Sequence, residues 1–363
     1  MNKIILYVFL ILTAWACNNE VTQQLEPKGV ALGKMNEIVV ICDQDIWEGA
    51  VGDTFRFYFE SAYPILPAPE PLFDLRHFTL EQLAGQPLRK ELRTYVILTD
   101  LSDETSETTA MVKRDMGPEK FNQALTTGSP FSSVGKDKWA RGQILIYLFQ
   151  PNQEALKSAI TKSFPATARR VNQHDEKQLK ASIYVDRINL GLSKLINTKY
   201  NLDIKIPGDY VEAYRNDDEN VIWLRKDFDE GIMNLVIRKY PYKDQSQFSK
   251  SNMIKLRNDF GKKYITSDLE GDFMVVNTED LPIYEYGIEI DGNYAKEIRG
   301  GWEMTEDFSG GPFITYLILN EEKKEFIYVD AFVLAPGNRK RNMMMQLDHI
   351  VKSSSVTSGE PIN

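Results

Sequence analysis

The sequence predicts an α+β protein of two subdomains, an N-terminal mixed α/β half and a C-terminal antiparallel sheet packed with helices. Strand-like and helix-like patterns alternate through the first half, whereas short strands separated by turn sequences dominate the second half. The chain has 363 residues, which exceeds the usual size of a single hydrophobic core. We therefore expect one subdomain over residues 34–200 and another over residues 201–352.

In the N-terminal half, runs rich in Val, Ile, Leu and aromatic residues predict the strands of a mixed sheet. These strands are 36–42, 73–78, 94–101 and 142–150. Helices are predicted between and after them at 45–60, 107–125 and 151–163. Residues 64–71 contain four prolines and form an extended connector, because proline lacks an N–H group and fixes φ.

A long helical pattern over residues 176–197 is predicted to join the two halves. Beyond it, an antiparallel meander is predicted from short strands at 202–206, 210–215, 221–225 and 232–240. A helix at 247–262 then precedes strands at 273–277, 283–291, 293–303, 313–320 and 324–334. Asp291-Gly292 predicts a two-residue hairpin turn. The last elements are a helix at 339–352 and a disordered tail at 353–363.

The first residues have the pattern of a bacterial lipoprotein signal. Met1-Asn2-Lys3 precedes an apolar run from Ile4 to Leu12, and Ala14-Trp15-Ala16 precedes Cys17. The apolar run is shorter than the roughly 20 residues that a membrane-spanning helix needs. We predict that residues 1–16 are a signal peptide, that Cys17 is the lipid attachment site and that residues 17–33 form a flexible tether. An ordinary secretory signal is the alternative.

The formal net charge of the chain is -9 at pH 7. This acidity argues against nucleic acid or an anionic lipid surface as the main partner, although locally basic stretches are compatible with it. Cys42 is the only cysteine besides Cys17. If Cys17 carries lipid, no intramolecular disulfide can form. The apolar run around Cys42 predicts a buried thiol, with a reactive thiol as the alternative.

Catalytic motifs are missing from the sequence. The three histidines, His77, His174 and His349, have no neighbour at metal-ligand spacing. The glycine patterns of a P-loop, a dinucleotide-binding loop and a nucleophile elbow are also absent. We therefore predict no catalytic residue, no metal site and no cofactor, and the sequence favours a protein that is not an enzyme.

Two clusters of glycine and aromatic residues are the most motif-like feature. They are Arg299-Gly300-Gly301-Trp302-Glu303 and Ser309-Gly310-Gly311-Pro312-Phe313. Glycine inside a strand indicates a bulge or a close approach of two backbones, which predicts a tightly twisted hairpin. The alternative is a ligand-binding loop with Trp302 and Phe313 as apolar walls.

Two clusters of charged residues, one basic and one acidic, lie at the starts of predicted helices. Arg339, Lys340 and Arg341 open the final helix, either as a solvated basic face or as an anion site formed with the free helix amides. Asp43 and Asp45 follow the first strand. We interpret them as helix-capping residues, with a ligand site at the carboxyl end of the sheet as the alternative.

The chain resembles an uncharacterised family of Bacteroidota lipoproteins, catalogued as a domain of unknown function. The resemblance rests on segments spread over most of the chain: Gly33-Lys34 through Val40, Trp47 through Gly52, Pro67 through Phe73, Trp139 through Gln143, Gly311-Pro312-Phe313, and Tyr328 through Gly337. It implies a lipid-anchored protein of the cell envelope and brings no activity. Asn18-Asn19-Glu20 is weakly acidic, which favours the periplasmic face of the outer membrane.

These observations together predict a lipid-anchored binding or assembly module of the cell envelope. Its partners would be the membrane, through the N-terminal lipid, and an envelope protein, with no role for nucleic acid. The alternative is an envelope hydrolase that uses carboxylates in a cleft between the two subdomains. A solute receptor is a third hypothesis, which requires an enclosed cleft.

Overall fold

A computed structural model describes residues 28–229 and 231–357, so Cys17, the predicted signal peptide and residues 358–363 lie outside it. The chain forms two compact units. Unit 1 comprises the residues up to Glu60 together with Phe73–His174, and unit 2 comprises Ser61–Leu72 together with the residues from Asp175 onward. The predicted α+β class, with a mixed N-terminal sheet and an antiparallel C-terminal sheet, is confirmed. The division within the chain does not coincide with the boundary expected between positions 200 and 201.

Unit 1 is built on a five-stranded sheet. Its strands are β1 (Glu37–Ile41), β2 (Asp74–Phe78), β3 (Thr94–Asp100), β4 (Ser132–Lys136) and β5 (Ile144–Gln150). Their order is β2-β1-β3-β5-β4, and all pairs are parallel except β4 with β5. The central strands β1, β3 and β5 are almost entirely buried, as expected for parallel strands covered on both faces. Strand β4 was not predicted, because Ser-Ser-Val-Gly-Lys has little apolar content.

Five short helices pack in unit 1 between its strands. They are α1 (Gln44–Glu48), α2 (Ala50–Phe59), α3 (Leu80–Ala84), α4 (Glu107–Met116) and α5 (Pro118–Thr127), and a 3-10 helix covers Pro87–Glu91. The single helix predicted over 107–125 is wrong, because the chain breaks at Gly117, which has a φ of +82°. Pro118 opens the next helix and disfavours helical geometry at the residue before it.

A long helix, α6 (Gln153–Ile183), follows β5 and contains Pro165. The sequence-based prediction placed a helix end at Ser163 and a new helix at Glu176, and this is wrong. Interior proline costs about 3 kcal/mol, but the burial of side chains such as Ile160 and Val171 on both sides of it opposes that cost. The break comes later, before α7 (Leu190–Tyr200), where the Asn189 side chain accepts the Leu192 N–H.

Unit 2 contains an eight-stranded antiparallel sheet. Its strands are β7 (Val211–Asn216), β8 (Val221–Phe228), β9 (Gly231–Pro241), β10 (Met274–Asn277), β11 (Tyr284–Ile290), β12 (Asn293–Met304), β13 (Gly310–Asn320) and β14 (Glu325–Leu334). The order is β10-β12-β13-β14-β9-β8-β7, and β11 also pairs with β12. The predicted hairpin at Asp291-Gly292 is confirmed, since both residues have positive φ and Ile290 pairs with Asn293.

The two faces of this sheet carry different helices. On one face, Met253 and Phe260 of α8 (Lys250–Tyr264) join a core with Leu317 and Phe332. The alternate residue Tyr316 points to the other face, where it donates a hydrogen bond to Asp348 of α9 (Arg341–Lys352). A 3-10 helix covers Gln245–Phe248, and a small second sheet pairs β6 (Leu202–Asp203) with β15 (Ser355–Val356). The start of the predicted disordered tail is therefore a paired strand.

Candidate functional site

A groove of about 810 Å³ opens in unit 2 where strands β10, β12 and β13 end. Its sides are the residues after β10, including Leu281, and the turn that joins β12 to β13. Gly301, Gly310 and Gly311 also line it. The groove therefore lies at the glycine and aromatic clusters that the sequence singled out.

The glycines are explained by close packing in a hairpin. A Cβ atom at Gly301 would lie 3.0 Å from Leu281 Cδ1. A Cβ atom at Gly311 would lie 2.0 Å from the Val333 carbonyl oxygen and 3.0 Å from Trp302 Nε1. Any side chain at Gly311 would displace the indole or the neighbouring strand. Both predicted clusters thus belong to the β12–β13 hairpin.

Asp272 fixes the turn of this hairpin. Its carboxylate accepts hydrogen bonds from Thr305 Oγ1 at 3.1 Å, from the Glu306 N–H at 2.8 Å and from Ser267 Oγ at 2.6 Å. Desolvation raises the pKa of Asp272, but these hydrogen bonds to the ionised form prevail and hold it below the ordinary value. The ionised carboxylate therefore ties the turn to the loop before β10.

Asn277 organises the opposite side of the groove. Its amide nitrogen donates to Asp280 Oδ2 at 2.9 Å and to Glu303 Oε2 at 2.6 Å. Its amide oxygen accepts the N–H groups of Glu279 and Asp280. One side chain thus positions two carboxylates and the turn that leads to Leu281.

The groove is acidic and partly apolar. The ionisable side chains that line it are Asp280, Glu303, Glu306 and Asp307, and no lysine or arginine lines it in the described part of the chain. None of these four carboxylates forms an ion pair with a described cation. Phe308 lies at the tip of the turn and is fully exposed to solvent. This combination fits a partner that presents a positive charge beside an apolar surface.

The two predicted apolar walls lie in different places. Trp302 lines the groove, but it is only 5% exposed, and its Nε1 donates to the Val333 carbonyl at 3.3 Å. Phe313 is fully buried in the core, where the Arg257 guanidinium lies 4.0 Å from its ring centroid. Arg257 is itself buried, with Nε 3.2 Å from Asp330 Oδ1. The exposed aromatic residue of the groove is Phe308, which no sequence pattern singled out.

The basic residues at the start of α9 surround an internal carboxylate. Glu70 accepts the backbone N–H groups of Lys340 and Arg341. The Arg341 guanidinium donates to the carbonyl oxygens of Pro71 and Leu72, and Lys340 Nζ donates to the Asn338 carbonyl. Lys340 and Arg341 are buried, whereas Arg339 is exposed. The helix amides expected for an anion are thus occupied by a residue of the predicted proline-rich connector.

Asp43 makes a contact in unit 1 that the sequence did not reveal. It occupies the N-cap position of α1 but makes no side-chain capping bond there. Its carboxylate instead accepts hydrogen bonds from Ser106 Oγ at 2.5 Å and Thr108 Oγ1 at 3.0 Å. These residues join the carboxyl ends of β1 and β3, where ligands often bind in such sheets. Asp43 therefore links α1 to α4.

The described residues contain no group of three or more His, Cys, Asp or Glu side chains that could hold a metal ion. No helix within residues 28–229 and 231–357 combines the length and the apolar character that a membrane crossing requires.

Two regions match families without an assigned function. Residues 31–184 match a domain of unknown function (DUF8532), and residues 190–353 match a second one (DUF4837). These two domains support an uncharacterised family. No curated protein matches the chain.

Two solved structures show weak likeness to part of the chain. The Ran-binding protein Mog1p of Saccharomyces cerevisiae is 10% identical, with a TM-score of 0.30, and the match covers 43% of this chain and 90% of that one. LpqN of Mycobacterium tuberculosis, involved in cell envelope biogenesis, is 8% identical, with a TM-score of 0.27 and coverage of 43% and 83%. At these TM-scores neither likeness assigns a function.

Proposed function

We propose that this protein is a lipid-anchored protein of the cell envelope whose unit 2 binds a partner in the acidic groove. The observation that carries the binding role is Phe308, a fully exposed aromatic side chain at the edge of a groove lined by four carboxylates that pair with no cation among the described residues. Burying a phenylalanine side chain stabilises a complex by about 2 kcal/mol, and exposed aromatic residues are enriched at protein interfaces. The partner would present Lys or Arg beside an apolar residue.

The anchor is supported by the pattern that ends at Cys17. Several acyl chains would make the attachment effectively permanent. The proposed location is the periplasmic face of the outer membrane. The two family matches are to domains of unknown function and give no information about location or activity.

A binding role fits better than the hydrolase alternative. A hydrolase of that kind would place carboxyl groups of raised pKa together in a pocket. Burial raises the pKa of Asp330, with Arg257 and Thr315 acting against it, but Asp330 lies in the core of unit 2. Burial also raises the pKa of Glu60, which lies at the end of α2 in unit 1. Neither residue lines the groove.

The anchor is tested by membrane fractionation of cells that express Cys17→Ser. We expect the variant to leave the membrane fraction, because it lacks the sulfur that carries the lipid. Cys42→Ala is the matched control and should remain bound to membranes. Retention of the Cys17→Ser protein in the membrane fraction would refute the anchor.

The groove is tested by replacing Phe308 with a photo-crosslinking phenylalanine analogue in intact cells. Position 57 provides the control, because Phe57 is 73% exposed but lies in unit 1. A discrete crosslinked product at position 308 and none at position 57 is expected. The proposal fails if position 308 gives no product, or if both positions give the same products.

A further inference from the structure

The two ends of the unit 1 sheet carry opposite charges. The segments at the amino ends of β1, β3 and β5 are residues 28–37, 89–94 and 136–143, and they contain eight Lys or Arg and three Asp or Glu. The segments after β1 and β3 are residues 42–48 and 100–107, and they contain seven Asp or Glu and no Lys or Arg. Because these strands are parallel, the basic segments meet at one edge and the acidic segments at the other.

The N-terminal segment lies across the basic edge. Ala31 donates its N–H to the Arg141 carbonyl at 2.8 Å, and Arg141 donates its own to the Gly29 carbonyl at 2.8 Å. Leu32 donates its N–H to the Glu91 carbonyl at 2.7 Å. The last residues of the predicted flexible tether are therefore bonded to the loops before β3 and β5. A chain from Cys17 to Lys28 can reach at most about 40 Å, so a lipid on Cys17 would hold this edge close to the membrane.

Five cations on this edge have no carboxylate partner among the described residues, although Lys28 Nζ donates to the Asp137 carbonyl and Arg141 Nε donates to the Lys28 carbonyl. Lys28, Lys34, Lys136 and Arg141 are exposed, and Lys90 is half-buried. None of the five forms an ion pair with a carboxylate in the part of the chain that the structure describes. Other cations of the edge are engaged, since Lys138 pairs with Asp115.

Apolar side chains are exposed among these cations. Val30 and Leu32 of the N-terminal segment are 63% and 55% exposed. Leu88, in the 3-10 helix before β3, is 69% exposed. Basic side chains around exposed aliphatic ones are typical of surfaces that bind the headgroup region of an anionic bilayer.

We propose that this edge, here called the basic face, binds an anionic phospholipid surface and orients unit 1 on the membrane. The inference rests on the proposed anchor, because the lipid on Cys17 would bring the basic face to the membrane. The basic face would then be a second membrane-binding element in addition to the acyl chains. An acidic protein can use such a surface because its charges are separated, and the acidic end of the sheet points away from the lipid.

The test uses the acyl-free mature chain, which begins at position 17 and carries Cys17→Ser. Cosedimentation compares vesicles of mixed phosphatidylglycerol and phosphatidylcholine with vesicles of phosphatidylcholine alone. We expect binding to the anionic vesicles to be about tenfold tighter or more, and to weaken as salt is added. Because the chain carries no lipid, this result is independent of the fractionation test of Cys17.

Charge reversal locates the surface. The variant Lys34→Glu, Lys90→Glu, Lys136→Glu is expected to lose about tenfold or more in affinity for anionic vesicles. The control Lys205→Glu, Lys243→Glu, Lys323→Glu changes net charge equally at exposed positions of unit 2 and should bind like the parent chain.

The exposed aliphatic residues are tested separately. Leu32→Ser with Leu88→Ser should also weaken binding to anionic vesicles. The control Leu190→Ser with Val211→Ser, also at exposed positions, should not. Thermal unfolding followed by circular dichroism verifies that each variant is folded.

Three results would overturn the proposal. One is equal affinity for anionic and neutral vesicles. Another is equal affinity of the two folded charge-reversal variants for anionic vesicles. The third is salt-dependent binding to a single-stranded oligonucleotide without binding to vesicles, which would assign the basic face to nucleic acid.

Discussion

The carboxylate of Glu70 accepts the backbone N–H of Arg341 at 3.1 Å, although 271 positions separate the two residues in the sequence. The same carboxylate accepts the N–H of Lys340. Helix N-termini favour negative charge because their first amides lack partners within the helix. The negative charge at the N-terminus of helix α9 is therefore supplied by Glu70, in the segment 61–72.

Replacing Glu70 should loosen helix α9. Glu70→Ala leaves two amides without a partner and should lower the free energy of unfolding of unit 2 by about 2 kcal/mol. Hydrogen exchange of the α9 amides, read by mass spectrometry, should speed up accordingly. Glu70→Gln keeps an acceptor oxygen and should cost about 1 kcal/mol. Glu322→Ala, at an exposed turn, serves as the control, and equal exchange in Glu70→Ala and Glu322→Ala would contradict the capping role.

Alanine at position 311 should destabilise the hairpin beside the groove. The added Cβ of Gly311→Ala would lie 2.0 Å from the Val333 carbonyl oxygen, so the strand or the Trp302 indole must move. We expect a loss of about 2 kcal/mol or more in urea unfolding followed by tryptophan fluorescence. Gly287→Ala is the matched control, because its Cβ would meet no atom within 4 Å. Similar unfolding midpoints for both variants would argue against close packing at Gly311.

Asp43 and Asp45 should differ in their effect on unit 1. Asp43→Ala removes the acceptor for Ser106 and Thr108 and should cost about 2 kcal/mol, whereas Asp45→Ala removes an exposed charge. Cys42 provides the measurement, since burial raises the pKa of its thiol and the folded protein should resist alkylation.

In a Cys17→Ser background, Cys42 should be alkylated faster in Asp43→Ala than in Asp45→Ala. Each variant removes one aspartate that raises the pKa of this thiol in addition to burial. Equal alkylation rates would show that the Asp43 contacts contribute little to unit 1.

Stability should depend on pH through Asp272. Its pKa in the folded protein lies below the ordinary 3.8, so its contribution is present above that value and is lost as the pH falls through the lowered pKa. Urea unfolding at neutral pH and at about pH 3 should show a smaller acid-induced loss for Asp272→Asn than for the parent chain. Asp268→Asn, in the same loop, controls for the change in charge. If Asp272→Asn lost as much stability in acid as the parent chain does, Asp272 would not be the source of this pH dependence.

Local signals in the sequence predicted much of the fold. The Asp291-Gly292 turn, the β7–β8–β9 meander and the buried strand β5 were predicted because residues within a few positions determine them. Helix α6 was mispredicted because the packing of its two halves, which the sequence does not show, opposes the cost of Pro165.

The contacts of the predicted site residues could not be inferred where their partners are distant in sequence. Nothing near Arg341 indicates Glu70, and nothing near Asp43 indicates Ser106. The groove lies at the glycine and aromatic clusters. Phe313 is buried in the core, because both faces of its strand β13 are covered. Phe308 was missed because exposure is a property of the folded hairpin.

Unit 2 is completed by two stretches of chain that are made at different times. Residues 61–72 leave the ribosome before the 102 residues of Phe73–His174, and helix α9 follows later still. During synthesis, Glu70 is therefore made long before the backbone amides of Lys340 and Arg341 that its carboxylate accepts. A fragment limited to residues 190–353, the region of one family match, would lack this carboxylate entirely. The folded unit 2 is thus assembled from two separate segments of the sequence.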